Sequence, residues 1–530
     1  MKKEDCLVHH FLEKSAELFP DKVAVVQEHK RAEYSRVNRW ANQLAHRLIE
    51  AGAGSGDRIV ILCENSIEYI LCYYGILKAG GIAVSLNTDL KPDGLAELLI
   101  ELEPKVLIVS SKYERTVRSL DLSPFHVGQL LVIDPRISNQ NTGDAVFSLY
   151  EELASQPDGN PGLEIDPESC AAIIYTSGSA GKPKGVMLSH ANIVANTRAI
   201  IEYLELTSAD VQMVVLPFFY VMGKSLLNTH FAVAGRVVIN NKFAYTASVL
   251  KQMAEEGVTG FSGVPSTYAH LLFKSPLAAY RDKLPALRYC SQAGGHMARH
   301  IKMELLKILP AHTRLYVMYG ATEASARLTY VPPERLKSKI DSIGIPIPGV
   351  AIDVLSPEGL PLGPGETGEL VARGGNIMLG YYKDEDATRK VLDQHGYRTG
   401  DLGYSDTDGF LYVTGRKDDQ VKVGGHRINP QEIEDVIIES GQALECVVLG
   451  IPDTHSGLHL GGLVVPLKPT RDTVHEILKY CSRKLPKYKI PGSLFMADAI
   501  PKNSSGKPDR TMSLQNIIER QSQNGASQKW

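Results

Sequence analysis

The chain has 530 residues, 43% hydrophobic and 22% charged, which is enough core material for more than one domain and excludes a disordered chain. Its formal net charge of -3 offers no basic excess to neutralise a phosphate backbone, which excludes nucleic acid as the main partner. Its 7 cysteines stand apart with no C-x-x-C pair, the pattern of reduced thiols in a cytoplasm. No stretch reads as an export signal or reaches the ~20 apolar residues of a membrane-spanning helix.

Along the chain, Trp40, Leu44 and Leu48 recur at helical spacing, and a strand follows at Arg58–Leu62 after a glycine-rich turn. Further strands are expected at Lys105–Val109, Ala171–Tyr175, Val211–Pro217 and Arg236–Asn240, with helical stretches between them, one opening at Ser189. Such alternation predicts parallel sheets covered by helices and joined by right-handed crossovers. From about Ser342 to Tyr412 the texture changes to short β runs broken by proline and glycine, as in Pro346-Ile-Pro348-Gly349. This is the mark of a small barrel or antiparallel sheet. After Gly415-Arg416 comes a polar hinge, Lys417-Asp418-Asp419, then a helix at Pro430–Glu439 and strands at Glu445–Ile451 and Leu460–Pro466. The expected fold is therefore α/β: a large N-terminal domain over residues 1–417, with two α/β subdomains and a small barrel-like one, followed by a small α+β C-terminal domain over 418–530. The polar stretch Gln521–Trp530 is expected to fray.

One segment carries chemistry by itself: Tyr175-Thr-Ser-Gly-Ser-Ala-Gly-Lys-Pro-Lys-Gly185. Gly178 and Gly181 let backbone approach phosphate oxygens, the hydroxyls of Thr176, Ser177 and Ser179 can donate to them, and Lys182 and Lys184 supply charge. It is not a Walker A loop, because Pro183 follows Lys182 where that motif needs Ser or Thr.

The segment resembles the phosphate loop of the acyl-adenylate-forming superfamily, which includes acyl-CoA and aryl-CoA ligases, adenylation domains and luciferase. Further matches come in that superfamily's order: Val264-Pro265, Tyr319-Gly-Ala-Thr-Glu323, Gly368-Glu-Leu370, Gly380-Tyr381, Tyr397-Arg-Thr-Gly-Asp-Leu402, Gly415-Arg416 and Pro501-Lys-Asn-Ser-Ser-Gly-Lys507. The resemblance implies ATP and Mg²⁺ as cofactors. It places the Tyr319 ring with Gly320 against adenine, Thr322 at the α-phosphate, Glu323 on Mg²⁺, and Asp401 on the ribose hydroxyls with Arg416 assisting. Gly294, Gly295 and His296 fall on the adenine-side strand; His296 departs from the proline or small residue of many relatives. Lys507 is implied as the catalytic lysine of adenylation. Lys422, Gly424, Gly425 and Arg427 form the face that meets the thiol after the small domain, mobile in this superfamily, pivots at Asp418.

Tyr220, Val221, Gly223, Phe261 and Ser262 are the candidates for the acyl pocket wall. Many relatives carry histidine where Tyr220 stands. Amino-acid-activating relatives place an aspartate about where this chain has Val221, and an ammonium buried without one is costly. The expected substrate is thus a fatty or aryl acid rather than an α-amino acid, and the acceptor is coenzyme A. The alternatives are the phosphopantetheine arm of a separate acyl or peptidyl carrier protein and, outside enzymes, an inactive nucleotide-binding relative. Against the last, Lys184, Glu323, Asp401, Arg416 and Lys507 are all present.

Overall fold

The computed structural model describes residues 6–120, 127–133, 146–176, 183–417, 421–423, 426–453, 457–502 and 508–523. Two large sheets dominate. The first has eight strands, in the order Gly380–Tyr381, Lys184–Ser189, Cys170–Thr176, Ile82–Ser85, Arg58–Leu62, Val106–Ser110, Gln129–Ile133, Val146–Ser148. The second has nine, in the order Ile345–Pro346, Thr329–Val331, Arg314–Tyr319, Tyr289–Gln292, Gly260–Gly263, Val211–Val214, Arg236–Ile239, Val23–Gln27, Lys30–Glu33. Each is parallel through its middle and antiparallel at an edge. Their strands read as nearly unbroken apolar runs because both faces are covered: Ile59 and Ile61 join one core, Val60 and Leu62 another.

Between the sheets lies a layer of helices, Ile67–Lys78, His190–Leu204 and Val221–Ala232, whose residues share one apolar cluster with strands of both sheets. All twelve residues of Ile67–Lys78 are buried, so this helix has no solvent face and any polar residue on it needs a partner inside the protein. The helix His190–Leu204 starts on a capping box. Ser189 Oγ accepts from the Asn192 N–H and the Asn192 side chain accepts from the Ser189 N–H, each at 3.0 Å, an arrangement worth about 1 kcal/mol.

The glycine-rich segment does not lead straight into that helix. The strand Lys184–Ser189 comes first and pairs antiparallel with Cys170–Thr176, so the segment tops a hairpin. The apolar Val186-Met-Leu188 run extends the sheet because Val186 and Leu188 bury against the helix layer. Residues Val350–Leu355, Gly368–Gly374, Leu392–Asp393, Gly396–Ser405 and Leu411–Arg416 form a five-stranded antiparallel sheet, one of the two forms the proline and glycine spacing predicts.

The small C-terminal domain has a three-stranded sheet, Ala443–Asp453, Gly457–Pro466 and Ser493–Met496, with helices Pro430–Glu439, Thr473–Lys484 and Arg510–Gln523. Its apolar residues Ile433, Ile437, Val447 and Leu449 belong to the cluster that holds Tyr268, Leu271, Ile301 and Leu305 of the large domain. No helix among the described residues is long and apolar enough to cross a membrane.

Candidate active site

Three sheets converge on one place. Tyr319 ends the strand Arg314–Tyr319, at the carboxyl edge where open parallel sheets bind ligands. Its hydroxyl donates to Asp401 Oδ2 at 2.5 Å, across to the five-stranded sheet. Asp401 and Arg416 are direct partners in the antiparallel pair Gly396–Ser405 and Leu411–Arg416, which brings Arg416 Nε within 3.2 Å of Asp401 Oδ1. Gly400 has a φ of +73°, a left-handed geometry that glycine adopts freely. Burial, then the Asp401 carboxylate, holds the Tyr319 phenol well above its usual range.

After Tyr319 the chain makes a tight turn. A Cβ on Gly320 would lie 2.0 Å from the Ala326 carbonyl oxygen, so glycine is required there by the chain's own backbone. The turn presents Thr322 and Glu323 on a short 3-10 segment, Thr322–Ala324, closed by Ser325 with φ 56°. Glu323 Oε1 accepts from the Tyr381 hydroxyl at 2.8 Å. Lys184 Nζ stands 4.9 Å from the centroid of the same Tyr381 ring. Tyr381 therefore ties the acidic turn to the phosphate hairpin, a role the sequence reading did not assign although it quoted the Gly380-Tyr381 pair. Burial first, then the Glu323 charge, pushes the Tyr381 phenol up. Thr176 faces Lys184 at the mouth of the hairpin and donates to its carbonyl at 3.4 Å. Glu323 is half-buried, and its Oε2 has no protein donor among the described residues, a hard oxygen that suits Mg²⁺.

Gly294 and Gly295 follow the carboxyl end of the strand Tyr289–Gln292, with Gln292 Nε2 donating to the Gly295 carbonyl at 2.7 Å. His296 lies next to them, and its Nε2 is 3.0 Å from Asp435 Oδ1 of the helix Pro430–Glu439. In this arrangement it bridges to the small domain rather than standing alone beside the adenine position. Lys422 and Arg427 are register partners in the hairpin Val421–Val423 and His426–Ile428. Ser177, Gly178, Ser179, Gly181, Lys182, Asp418, Gly424, Gly425 and Lys507 lie outside the described residues.

The acyl candidates separate. Tyr220 precedes the helix Val221–Ala232, and its buried hydroxyl has no hydrogen-bond partner among the described residues. Val221 lines a narrow cavity of about 10 Å³, room for about one water, together with Ile174, Leu188, Lys224, Asn228 and Ser325. A Cβ on Gly223 would lie 2.1 Å from the Pro217 carbonyl oxygen, so this glycine serves the close approach of the helix to its own entry loop. Phe261 and Ser262 are neighbours on one strand, so their side chains point to opposite faces. Phe261 packs with Phe243 and Tyr268 in the core shared with the small domain, whereas Ser262 Oγ is 2.7 Å from Ser291 Oγ. The two do not form one wall, which corrects their joint assignment.

The cavity holds one residue the sequence reading passed over. Lys224 is buried, donates to Ser85 Oγ at 3.1 Å, and lies 4.8 Å from the Tyr73 ring centroid. Burial pulls its ammonium down to about 7. A signal existed: Lys224 is the only Lys, Arg, Asp or Glu between Asp210 and Arg236, in a stretch rich in apolar residues.

The family model described as AMP-binding enzyme matches residues 12–382, and that described as AMP-binding enzyme C-terminal domain matches residues 432–507. A long-chain-fatty-acid–CoA ligase of Bacillus subtilis (strain 168) is 30% identical over 535 residues, spanning 95% of this chain and 93% of its own. The crystal structure of the anthranilate CoA ligase AuaEII in complex with anthranoyl-AMP superposes with a TM-score of 0.89 at 23% identity, over 97% of this chain and 98% of that one. O-succinylbenzoate coenzyme A synthetase (MenE) from Bacillus subtilis, in complex with ATP and magnesium ion, superposes with a TM-score of 0.80 at 26% identity, over 95% and 98% of the two chains.

Proposed function

Because this chain belongs to the AMP-binding enzyme family, we propose that it activates a carboxylic acid with Mg-ATP to an acyl-adenylate and pyrophosphate, then passes the acyl group to the thiol of coenzyme A. The observation that carries this reading is the convergence of Tyr319, Asp401 and Arg416 on one side with Glu323, Tyr381 and Lys184 on the other. In this reading Asp401 accepts from the ribose hydroxyls, Tyr319 faces adenine and Thr322 meets phosphate oxygens. Glu323 would hold Mg²⁺, which when bound neutralises charge on the phosphates. The magnesium and ATP in the MenE complex support this cofactor pair.

No side chain here need act as a covalent nucleophile: the substrate carboxylate attacks the α-phosphorus, and the protein positions and stabilises charge. In this reading Lys507 meets the carboxylate and α-phosphate, and residues 418–530 then pivot at Asp418 so that Lys422, Gly424, Gly425 and Arg427 face the thiol. The acid has no α-ammonium, since Val221 offers no charge to pair one. Pyrophosphate release over fatty, aryl and amino acids, with and without coenzyme A, tests the reading. Thioester formation from an acid without an amino group upholds it. An adenylate that forms but ignores coenzyme A would instead support a carrier-protein acceptor.

A further inference from the structure

Away from the nucleotide end, the start of the chain gathers three metal-ligating side chains. His9 and His10 open the helix His10–Leu18, and Glu13 lies in its first turn. An imidazole nitrogen from each histidine and a carboxylate oxygen of Glu13 lie within 4.8 Å of one another. Helix geometry accounts for the grouping, since Glu13 stands at the i+4 position from His9 and the i+3 position from His10, and both offsets share a face.

The two imidazoles are unsatisfied. Nδ1 of His9 and Nδ1 of His10 are both shut off from water, and neither has a hydrogen-bond partner among the described residues. His9 as a whole is 5% exposed. Leaving one buried polar atom unpaired costs about 1–3 kcal/mol. Native interiors rarely tolerate such atoms, so two on adjacent residues point to a ligand. His190 gives the contrast. Its ring centroid is 5.9 Å from that of His9, yet its own Nδ1 accepts from the Val8 N–H at 3.2 Å.

The chemistry of the cluster selects a cation. An anion would meet the Glu13 carboxylate, and it would find no free amide at the helix start. The N–H groups of His10 and Phe11 donate to the carbonyls of Leu7 and Val8, and those of Leu12 and Glu13 donate to the His9 carbonyl. Lys78 Nζ lies 2.5 Å from Glu13 Oε1 and 3.0 Å from Asn160 Oδ1; the second Glu13 oxygen accepts from no donor among the described residues. The lysine's charge weighs against a hard ion held by charge alone. Two imidazoles with one carboxylate instead suit a borderline ion of the zinc type, whose fourth position is open to water.

We propose that His9, His10 and Glu13 hold a zinc-type divalent ion, a structural site apart from the Mg²⁺ of the nucleotide end. It lies where three helices meet. These are the start of His10–Leu18, the end of Ile67–Lys78 reached through the Glu13–Lys78 pair, and the start of His190–Leu204 reached through the Val8–His190 bond. The ion fastens the first helix of the chain against the middle layer and gives both buried nitrogens a partner.

The test uses the full, untagged chain, stripped with a chelator and dialysed. Zn²⁺ is titrated against a chromophoric competitor, and Co²⁺ is substituted to report the ligands. A single Zn²⁺ per chain is expected to bind at or below micromolar free ion and to raise the melting temperature. Bound Co²⁺ should show visible ligand-field bands and no near-ultraviolet thiolate band. His10→Gln and Glu13→Gln should each weaken Zn²⁺ binding by about 100-fold or more, beyond the cost of losing a residue that only orients a ligand, and should abolish the rise in melting temperature. Because Glu13→Gln also strips Lys78 of its acid, His10→Gln, at a half-buried position, decides the matter if the glutamate variant does not fold. No Zn²⁺ bound at micromolar free ion, unchanged affinity in either folded variant, or a thiolate band with Co²⁺ would overturn the proposal. None of these results bears on the ligase reading.

Discussion

The two ends of the site treat charge in opposite ways. At the nucleotide end, acids and their partners engage one another: Asp401 with Tyr319 and Arg416, Glu323 with Tyr381. Arg416 is 51% exposed and Asp401 15%, so water can take over whichever contacts a nucleotide displaces. At the proposed acyl end Lys224 is 2% exposed, and among the described residues no acid pairs with it and the Tyr220 hydroxyl has no hydrogen-bond partner. The proposed nucleotide end is organised by groups already paired with one another, whereas Lys224 and Tyr220 hold polar atoms without a charged partner among the described residues.

The largest expected effect lies at the nucleotide end. Lys507→Ala should lower acid-dependent pyrophosphate release by about 1,000-fold, the scale of removing a donor aimed at developing charge, while thioester formation from pre-formed adenylate changes little. A single-turnover comparison of the two half-reactions measures this split. An equal loss in both would remove the division of labour between the two faces of the small domain.

Next comes Lys224→Met, read as stability. The fold lowers this lysine from 10.5 to about 7, so between those values the unfolded chain holds a proton that the folded chain does not, and stability rises with pH. The methionine variant should therefore be more stable by about 5 kcal/mol below pH 7, with the gain shrinking toward pH 10.5. Denaturant titrations across that window would show it. A gain independent of pH would mean that packing, not charge, sets the cost.

Asp401→Asn should weaken ATP binding about 10-fold, the loss of one charge-assisted hydrogen bond, measured by calorimetric titration with little change in acid preference. Tyr220→Phe should be the mildest, neutral to stabilising by about 1 kcal/mol, because the hydroxyl it removes has no partner among the described residues. A loss of activity there with stability kept would make Tyr220 a substrate contact and bring the two ends closer in character.

This contrast also separates what could be read from the amino-acid sequence. The nucleotide end is built from local motifs: Tyr319, Thr322 and Glu323 share one turn, and Asp401 and Arg416 meet through an antiparallel register that their flanking glycines help shape. The acyl end depends on layering. A lysine in a helix ordinarily reads as a solvated residue, and only the stacking of a second sheet over Val221–Ala232 buries it. Phe261 and Ser262 are adjacent in sequence, yet strand alternation sends them to different layers. His296 meets Asp435 because the small domain docks on the large one, a contact spanning 139 positions that no local pattern contains. The strand Lys184–Ser189 was missed because a hairpin and a strand-to-helix turn share the same glycine-rich loop chemistry.

The most direct test of acid activation follows oxygen. With the carboxylate labelled in heavy oxygen, and Mg-ATP and coenzyme A supplied, attack at the α-phosphorus followed by thiol transfer leaves one labelled oxygen in AMP. Mass spectrometry should find the label in AMP and unlabelled pyrophosphate. Label in inorganic phosphate together with ADP, or thioester formed with no label in either, would contradict an acyl-adenylate and with it the function proposed for this site.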